Sequence, residues 1–394
     1  MPEALLVGGA RTPVGRYGGV LAGVRPDDLA ALVIGEAVRR AGIDPATIDE
    51  VIFGAANQAG EDNRNVARMA TLLAGLPDEV PGITVNRLCS SGMSAIIMAS
   101  QMIRSGDADI VVAGGVESMT RAPWVQAKPD RPWAKPGEAF DTSIGWRFAN
   151  PRLVARDKAT FSMPETAEEV ARVDGITREE ADEFALRSQQ RAVAAIDAGR
   201  FDDEIVAVPT KAGEVTVDEG PRRDTTMDAL ARLRPVVTGG SVVTAGNASS
   251  LNDGASAIVV ASDAAVERLG LTARARVVGG TSVGLAPEIM GLGPVPATEK
   301  LLARTGLRVD DLGAIELNEA FATQSIGTIR RLGLDDSLVN ADGGAIALGH
   351  PLGSSGSRLV VTLLGRMERE GADRGLATMC IGVGQGTAVI LERV

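Results

Sequence analysis

The segment 340–357, NADGGAIALGHPLGSSGS, contains His350, the only histidine of the chain. Glycine and other small residues crowd this segment, so its backbone can approach a ligand closely. Imidazole is the side chain best suited to moving a proton near neutral pH. A lone histidine can also be a structural residue with satisfied hydrogen bonds, so the other segments have to decide between catalysis and structure.

Length and composition exclude several classes of protein. A chain of 394 residues is too long for one ordinary core, which predicts two or more domains or sub-domains. A formal net charge of -11, no long basic run and 3% aromatic residues argue against nucleic acid as a partner. No apolar run is long enough to span a membrane, and the N-terminus does not resemble a signal peptide.

Cysteine and histidine usage bears on metals and on location. Two cysteines far apart and one histidine can build neither a disulfide framework nor a four-ligand zinc site, so we expect no metal. The expected location is the reducing cytoplasm, where both cysteines can stay free thiols.

The first 120 residues alternate short apolar strands with amphipathic helices. Strands are predicted at 4–8, 51–54, 83–86 and 109–113, and helices at 27–41, 65–74 and 91–105. This alternation predicts an α/β fold with a mostly parallel sheet that is covered by helices on both faces.

An internal echo indicates that an α/β half is duplicated. Residues 49–59 parallel 310–320, Val85-Asn86 parallels Val339-Asn340, Ser90-Ser91-Gly92 parallels Ser354-Ser355-Gly356, and Gly114-Gly115 parallels Gly382. The matches keep the same order, with offsets between 250 and 270 residues. We therefore predict a first half at 1–120 and 245–270, an inserted loop domain at 121–244 and a second half at 271–394.

The seam between the halves is the predicted site. Cys89 comes from the first half, whereas Asn318, His350 and Cys380 come from the second. Ligands of α/β proteins usually bind where such units meet. The insertion, carried by a rigid scaffold, is a natural place for substrate contacts.

Cys89 lies between the strand ending near Val85 and the helix that starts near Ser91. A thiol at a helix N-terminus feels the positive end of the helix dipole, which favours the thiolate. Unpaired N–H groups there can also point at a developing oxyanion. We interpret Cys89 as a nucleophile, although a free cysteine is more often a small buried hydrophobe.

The second half supplies three further candidates. Cys380 follows an apolar strand and precedes alternating glycines, so its thiol could exchange a proton with a carbon acid, although the residue alone suggests a core cysteine. Asn318 follows a strand, where its amide can hold a water or a carbonyl. Glu319 is a rival general base, but a carboxylate at a strand end is more often a cap or an ion-pair partner.

Five motifs together resemble the thiolase family over essentially the whole chain. They are NRLCSSG at 86–92, AGGVESM at 113–119, NEAFA at 318–322, GGAIALGHP at 343–351 and CIGVG at 380–384. Within that family the chain looks most like the β-ketoadipyl-CoA thiolase type. That impression comes from FGAANQAGEDNRNVAR at 53–68, IGWRF at 144–148 and SMPETAE at 162–168.

The resemblance implies a fold and a reaction. The fold would be two similar halves with mixed five-stranded sheets in a layered α-β-α-β-α arrangement, plus an inserted loop domain, in a homodimer or homotetramer. The reaction would be the reversible CoA-dependent cleavage of 3-oxoacyl-CoA, or the reverse Claisen condensation, through an acyl-cysteine intermediate. A dedicated 3-oxoadipyl-CoA thiolase of aromatic degradation is the alternative. No cofactor is expected, because coenzyme A is a substrate.

The resemblance also implies catalytic roles. Cys89 would be acylated, His350 would take its proton, and Cys380 would remove or return the α-proton. Asn318, through a water, and His350 would polarise one thioester oxygen. The backbone N–H groups of Cys89 and Gly382 would hold the other.

Binding roles implied by the family pattern are Ser249 near the pantetheine and Met163, Met290 and Phe321 around the acyl end. Ser162 stands where many biosynthetic thiolases carry a histidine, which argues against strict acetoacetyl-CoA specialisation.

Arg222 and Arg223 are candidates for the phosphates of coenzyme A. Two other classes remain open: a cysteine hydrolase using Cys89, His350 and Asn318, and a non-catalytic acyl-CoA-binding protein.

Overall fold

The computed structural model describes residues 2–394, which form fourteen strands and twelve α-helices. The strands are β1 Ala4–Arg11, β2 Gly15–Arg16, β3 Glu50–Gly54, β4 Gly82–Val85, β5 Ile110–Ser118, β6 Trp124–Gln126, β7 Ala139–Asp141, β8 Val208–Thr210, β9 Gly213–Val215, β10 Asn252–Ser262, β11 Ala275–Gly284, β12 Ala314–Leu317, β13 Arg374–Ile381 and β14 Gln385–Arg393.

The helices are α1 Pro26–Ala41, α2 Val66–Leu73, α3 Ser91–Ser105, α4 Pro151–Val154, α5 Met163–Asp174, α6 Arg178–Asp197, α7 Met227–Ala231, α8 Asp263–Leu269, α9 Pro294–Thr305, α10 Ala322–Leu332, α11 Ala345–Leu348 and α12 Leu352–Glu370. Short 3-10 helices lie at Pro45–Thr47, Pro287–Leu292 and Val309–Asp311.

One large sheet contains two copies of the same strand order. The order is β12-β13-β14-β11-β1-β10-β5-β3-β4, and Val339 extends it through a parallel bridge to Ile315. The strands of each half can be numbered one to five along the chain, with Val339 as the third of the second half. From the centre of the sheet to its edge, both halves then have the order one, five, four, two, three. The halves join where β1 and β11 pair antiparallel, through Leu5 with Arg276 and Leu6 with Ala275.

The prediction of a mostly parallel sheet is wrong, because each half is mixed. β3 runs parallel to β4 and β5, but β10 is antiparallel to both β5 and β1. In the second half, β13 and β14 are joined by the turn at 382–384, and such a short connection permits only an antiparallel pair. Hydrophobic periodicity identifies strands but does not give their direction.

Helices and sheet halves form the layered α-β-α-β-α arrangement. α1 covers the outer face of the first half, where Ile34 and Val112 belong to one apolar cluster. α9 covers the outer face of the second half, with Leu301 packed beside β12 and β14. Between them, α3 and α12 share a third cluster with strands of both halves, so the central layer is buried from two sides.

The starts of the two central helices meet backbone to backbone. A Cβ on Gly92 would lie 2.5 Å from the Ser357 hydroxyl oxygen, and one on Gly356 would lie 2.5 Å from the Met93 nitrogen. Only glycine permits this approach at both positions. The echoed Ser-Ser-Gly motifs thus bring the N-terminus of α3, next to Cys89, against that of α12.

No helix among residues 2–394 is long and apolar enough to cross a membrane.

Candidate active site

A tight elbow presents Cys89 between β4 and α3. Leu88 adopts a φ of +47°, which is rare for a residue with a branched apolar side chain. The Arg87 N–H donates to the Ser91 hydroxyl at 2.9 Å, and that hydroxyl donates to the Leu88 carbonyl at 2.7 Å. These bonds hold the turn and leave Cys89 partly exposed at the helix start.

The Cys89 thiol is held protonated. Burial raises the pKa of Cys89 to about 11, and the negative charge of Glu117 contributes to the rise. The N–H groups of Gly382 and of Cys89 itself point at the sulfur and act in the opposite direction, but burial outweighs them. Burial therefore opposes the thiolate that the position at the helix start is expected to favour.

Cys380 lies at the end of β13, buried and close enough to Cys89 for the two charges to interact. Burial and then the charge of a Cys89 thiolate raise the pKa of Cys380 well above its usual range. The chain then turns through Val383 and Gly384, which both have positive φ. This turn carries the Gly382 N–H to the Cys89 sulfur, so the second half supplies a donor to the nucleophile of the first.

His350 is buried and neutral. Burial lowers the pKa of His350 to about 3, and the positive charge of Arg358 lowers it further. Its Nδ1 lies 2.6 Å from the Ser355 hydroxyl oxygen, which in turn donates to the Pro351 carbonyl at 3.0 Å. Because a hydroxyl has one hydrogen, Nδ1–H is the donor to Ser355, and Nε2 keeps its lone pair.

Asn318 faces that lone pair. Its Nδ2 lies 3.4 Å from His350 Nε2, and its backbone N–H donates to the Thr378 carbonyl at 3.0 Å. Within the described chain, the buried Oδ1 of Asn318 has no hydrogen-bond partner. An unpaired buried amide oxygen costs about 1–3 kcal/mol, so this atom is poised to accept a hydrogen bond from a ligand.

The contacts of Glu319 indicate a structural role. Its carboxylate accepts hydrogen bonds from the Ser188 hydroxyl at 2.6 Å, the Asn340 amide at 2.8 Å and the Ile346 N–H at 3.2 Å. Burial raises the pKa of Glu319. The side chain joins α6 to the loop before α11, and these three contacts explain it without a catalytic role.

The predicted acyl-end residues share one apolar cluster with Cys380. Met163, Met290, Phe321 and Cys380 belong to a single apolar cluster. A Cβ on Gly382 would lie 3.5 Å from the Met163 sulfur, so this cluster borders the turn at 382–384.

Ser249 lies beside the same cluster. Its N–H donates to the carbonyl of Ala320, one of the cluster's members, at 3.0 Å.

The two arginines that are candidates for binding the phosphates of coenzyme A differ in their ion pairing. Arg223 pairs with Asp197 at 2.5 Å, whereas no carboxylate among residues 2–394 lies within 4 Å of the exposed Arg222 guanidinium. The Arg222 backbone N–H donates to Gln189 at 2.7 Å. A Cβ on the nearby Gly220 would contact the backbone of α11, so the segment lies against the helix that ends two residues before His350.

Comparison of the sequence with known protein families shows which family has this site. Residues 4–264 match the family described as "Thiolase, N-terminal domain", and residues 271–393 match "Thiolase, C-terminal domain".

The chain belongs to the thiolase family.

Relatives of this thiolase align over its whole length. The "Beta-ketoadipyl-CoA thiolase" of Pseudomonas aeruginosa is 55% identical over 399 residues, covering 100% of this chain and 99% of the relative. The "3-oxoadipyl-CoA/3-oxo-5,6-dehydrosuberyl-CoA thiolase" of Escherichia coli K12 is 53% identical and covers 100% of both. The "Acetyl-CoA acetyltransferase" of Syntrophomonas wolfei is 47% identical and covers 99% of both.

Solved structures agree with the fold of this thiolase. The acetyl-CoA acetyltransferase of Bacillus anthracis superposes with a TM-score of 0.93 at 41% identity, covering 100% of this chain and 99% of that one. Human mitochondrial 3-ketoacyl-CoA thiolase in complex with CoA gives 0.94 at 40% identity, covering 100% and 98%. The predicted family, fold class and acyltransferase activity are confirmed, over the cysteine hydrolase and the non-catalytic binding protein.

Two residues of the thiolase site were missed. Ser355 was interpreted only as part of a helix start, and its spacing of five residues from His350 was the available signal. Glu117 belongs to the AGGVESM motif at 113–119, from which no role was inferred for it. Its carboxylate accepts hydrogen bonds from the N–H groups of Ala56 at 2.9 Å, Asn57 at 3.2 Å and Gly353 at 2.9 Å. Glu117 thereby joins the two halves beside Cys89, and burial raises its pKa to about 7.

Across residues 2–394, no cluster of three or more histidine, cysteine or acidic side chains could hold a metal ion.

Proposed function

We propose that this thiolase cleaves 3-oxoadipyl-CoA with coenzyme A, giving acetyl-CoA and succinyl-CoA. The observations that support the mechanism are the position of Cys380 and of the Gly382 N–H beside Cys89, and the 3.4 Å separation of His350 Nε2 and Asn318 Nδ2. The observation that favours this substrate is the similarity to relatives at 52–55% identity, most of which are named β-ketoadipyl-CoA thiolases.

Cys89 attacks the C3 ketone carbonyl while its proton passes to Nε2 of His350. The proton transfer accompanies the attack, because burial holds the thiol protonated and the imidazole neutral beforehand. The N–H groups of Cys89 and Gly382 stabilise the oxyanion on C3. The C2–C3 bond then breaks, which leaves a succinyl group on the Cys89 sulfur.

The departing acetyl-CoA enolate takes a proton from Cys380. His350 and a water bound to Asn318 stabilise the enolate oxygen, and the unpaired Oδ1 of Asn318 is suited to accept from that water. Coenzyme A then attacks the acyl-enzyme thioester and gives its proton to the Cys380 thiolate, while the leaving Cys89 sulfur recovers the proton held by His350. Succinyl-CoA departs, and both cysteines and the imidazole are back in their starting protonation states.

Coenzyme A would lie with its pantetheine near Ser249 and a phosphate near Arg222, while Met163, Met290 and Phe321 enclose the reacting end. No further cofactor is proposed, since two thiols, an imidazole and an amide supply the nucleophile, the acid–base groups and the polarising donor.

The insertion at 121–244, between a first half at 1–120 and 245–270 and a second at 271–394, would carry substrate and subunit contacts. The enzyme would act as a homodimer or homotetramer in the cytoplasm.

A thiolysis panel tests the substrate. We expect kcat/KM to be highest for 3-oxoadipyl-CoA among 3-oxoacyl-CoA esters that range from acetoacetyl-CoA to 3-oxodecanoyl-CoA, with acetyl-CoA and succinyl-CoA as products by mass spectrometry. A preference for acetoacetyl-CoA would instead support an acetyl-CoA acetyltransferase, the activity in the name of the relative at 47% identity.

A further inference from the structure

We propose that Arg147 is a specificity-determining residue that binds the distal carboxylate of the dicarboxylic acyl chain. This inference rests on the proposed thiolysis of 3-oxoadipyl-CoA and names the side chain that recognises its charged end. Arg147 lies between β7 and α4, within the segment 119–251 that connects β5 to β10.

The Arg147 side chain is held in place by a neutral partner. Its Nη2 donates to Asn57 Oδ1 at 2.6 Å, and Asn57 Nδ2 donates to the Thr142 hydroxyl at 3.1 Å. Thr142 is itself buried and donates to the Pro123 carbonyl at 2.6 Å. The guanidinium is therefore oriented before any ligand binds, and four of its five N–H groups remain available.

Asn57 connects Arg147 to the nucleophile. The loop of Ala56 and Asn57 donates two N–H groups to Glu117, whose charge acts on Cys89. On the other side, the Asn86 amide donates to the Ala56 carbonyl at 2.8 Å, and Asn86 accepts the N–H of the elbow residue just before Cys89. One short loop thus contacts both the arginine and the elbow.

The charge of Arg147 has no counterpart in the protein. No carboxylate in the described part of the chain lies within 4 Å of its guanidinium, whereas two nearby arginines, Arg25 and Arg121, share Glu61. The Arg147 side chain is half-buried. A partly desolvated guanidinium favours a carboxylate that it can bind through two parallel hydrogen bonds.

The length of the substrate fits this position. In the succinyl-enzyme, the distal carboxylate lies three carbon–carbon bonds from the carbonyl carbon on Cys89, roughly 4 Å along the chain. Its binding group must therefore lie close to the elbow, separate from residues that bind the nucleotide end of coenzyme A. Arg147 is bonded to the loop that touches the elbow, and no carboxylate compensates its cation. Arg87 also lies at the elbow, but its guanidinium is already bonded to Ser94 and Gln385.

The test is a ratio of kcat/KM values for 3-oxoadipyl-CoA and 3-oxohexanoyl-CoA, which have the same chain length and differ in the terminal charge. We expect Arg147→Gln to lower this ratio about tenfold to a hundredfold, as expected for losing a charge-assisted hydrogen bond. Arg147→Lys should lower it less, because lysine keeps the charge without the bidentate geometry. Arg152→Gln, an exposed arginine on α4, is the matched control.

An unchanged ratio in Arg147→Gln, or an equal fall for both substrates, would overturn the assignment. Acylation of the variants by acetyl-CoA, which has no distal carboxylate, reports whether the site is still folded. A wild-type enzyme that cleaves neither ester would refute the proposed function. A wild-type enzyme that merely prefers 3-oxohexanoyl-CoA would refute the proposed substrate, and the response of the ratio to Arg147→Gln would still decide the role of the arginine.

Discussion

Nδ1 of His350 lies 2.6 Å from the hydroxyl oxygen of Ser355, and that hydroxyl donates to the Pro351 carbonyl at 3.0 Å. The serine therefore selects the tautomer whose free lone pair is on Nε2, the nitrogen that faces Asn318. A hydrogen bond on the remote side of the ring thus sets the basicity of the reacting side.

Removing this hydroxyl should slow acylation. In Ser355→Ala, the imidazole can place its proton on Nε2, and that tautomer cannot accept the proton of Cys89. We expect the single-turnover rate of acylation by acetyl-CoA to fall about tenfold to a hundredfold, part of the usual contribution of a general base. Nitrogen-15 NMR of the chain's only histidine would report the tautomer directly.

Ser354→Ala is the control for Ser355→Ala, because the Ser354 hydroxyl lies 3.0 Å from that of Ser256 and does not contact the imidazole. Equal losses in the two variants, or an unchanged tautomer in Ser355→Ala, would contradict this role.

The two cysteines should be required for two different partial reactions. Cys89→Ala removes the atom that is acylated, so no acetyl adduct should form with acetyl-CoA. Cys380→Ala should still acylate, but deuterium exchange at the acetyl methyl group should fall at least a hundredfold, because its proton donor and acceptor is gone. Mass spectrometry of the peptides and of acetyl-CoA measures both. An adduct on Cys380 alone would reverse the assignment.

The acid stability of the fold should depend on His350. Its pKa is about 3 when folded and about 6.5 when unfolded, so the unfolded state takes up the proton first as the pH falls. This contribution is fully present above pH 6.5 and is lost towards pH 3. When the pH is lowered from 7 to 5, the partial loss of this contribution should reduce the free energy of unfolding by about 2 kcal/mol.

Urea denaturation of the wild type and His350→Asn at both pH values isolates this loss. The comparison is needed because Glu117, with its pKa raised to about 7, acts in the opposite direction over the same range. A histidine signal that titrates near pH 6.5 in the folded protein would show that the imidazole is not held neutral.

Glu319→Gln should affect stability more than chemistry. The substitution weakens three buried hydrogen bonds, so the free energy of unfolding should fall by about 1–3 kcal/mol. Acylation by acetyl-CoA below the unfolding temperature should remain within a few-fold of wild type. Glu183→Gln, an exposed position on α6, is the matched control. Lost acylation at unchanged stability would make Glu319 the general base after all.

Sequence periodicity and the internal echo predicted much of the architecture. The Ser-Ser-Gly motifs at 90–92 and 354–356 marked the first turns of two equivalent helices to within two residues, because their glycines permit the close approach of those helices. Strand direction was not predictable in the same way. It depends on which strands are joined by tight turns, and in the first half the long segment at 119–251 hides the equivalent of the turn at 382–384.

Residue types and their positions at strand ends singled out Cys89, Asn318 and His350, and of these the structure shows Asn318 and His350 in contact. The ionisation of Cys89 was not predictable, because the N-terminus of α3 can be read from the sequence but the burial that raises the pKa of the thiol arises only in the folded chain. Glu117 and Ser355 were missed for a related reason. Their roles follow from contacts with Gly353 and His350 that exist only after the halves have packed.

The segment 119–251 leaves the sheet at Ser118 and returns at Asn252, where Ser118 is already the register partner of Asp253. Its two ends are therefore neighbours on adjacent strands, as in any short hairpin. The strands on both sides keep their pairing whatever the length of the segment between them, because the crossing point is fixed at Ser118 and Asp253. Substitutions confined to the exposed part of this segment can therefore change acyl-chain preference, while the strands that position the cysteines keep their register.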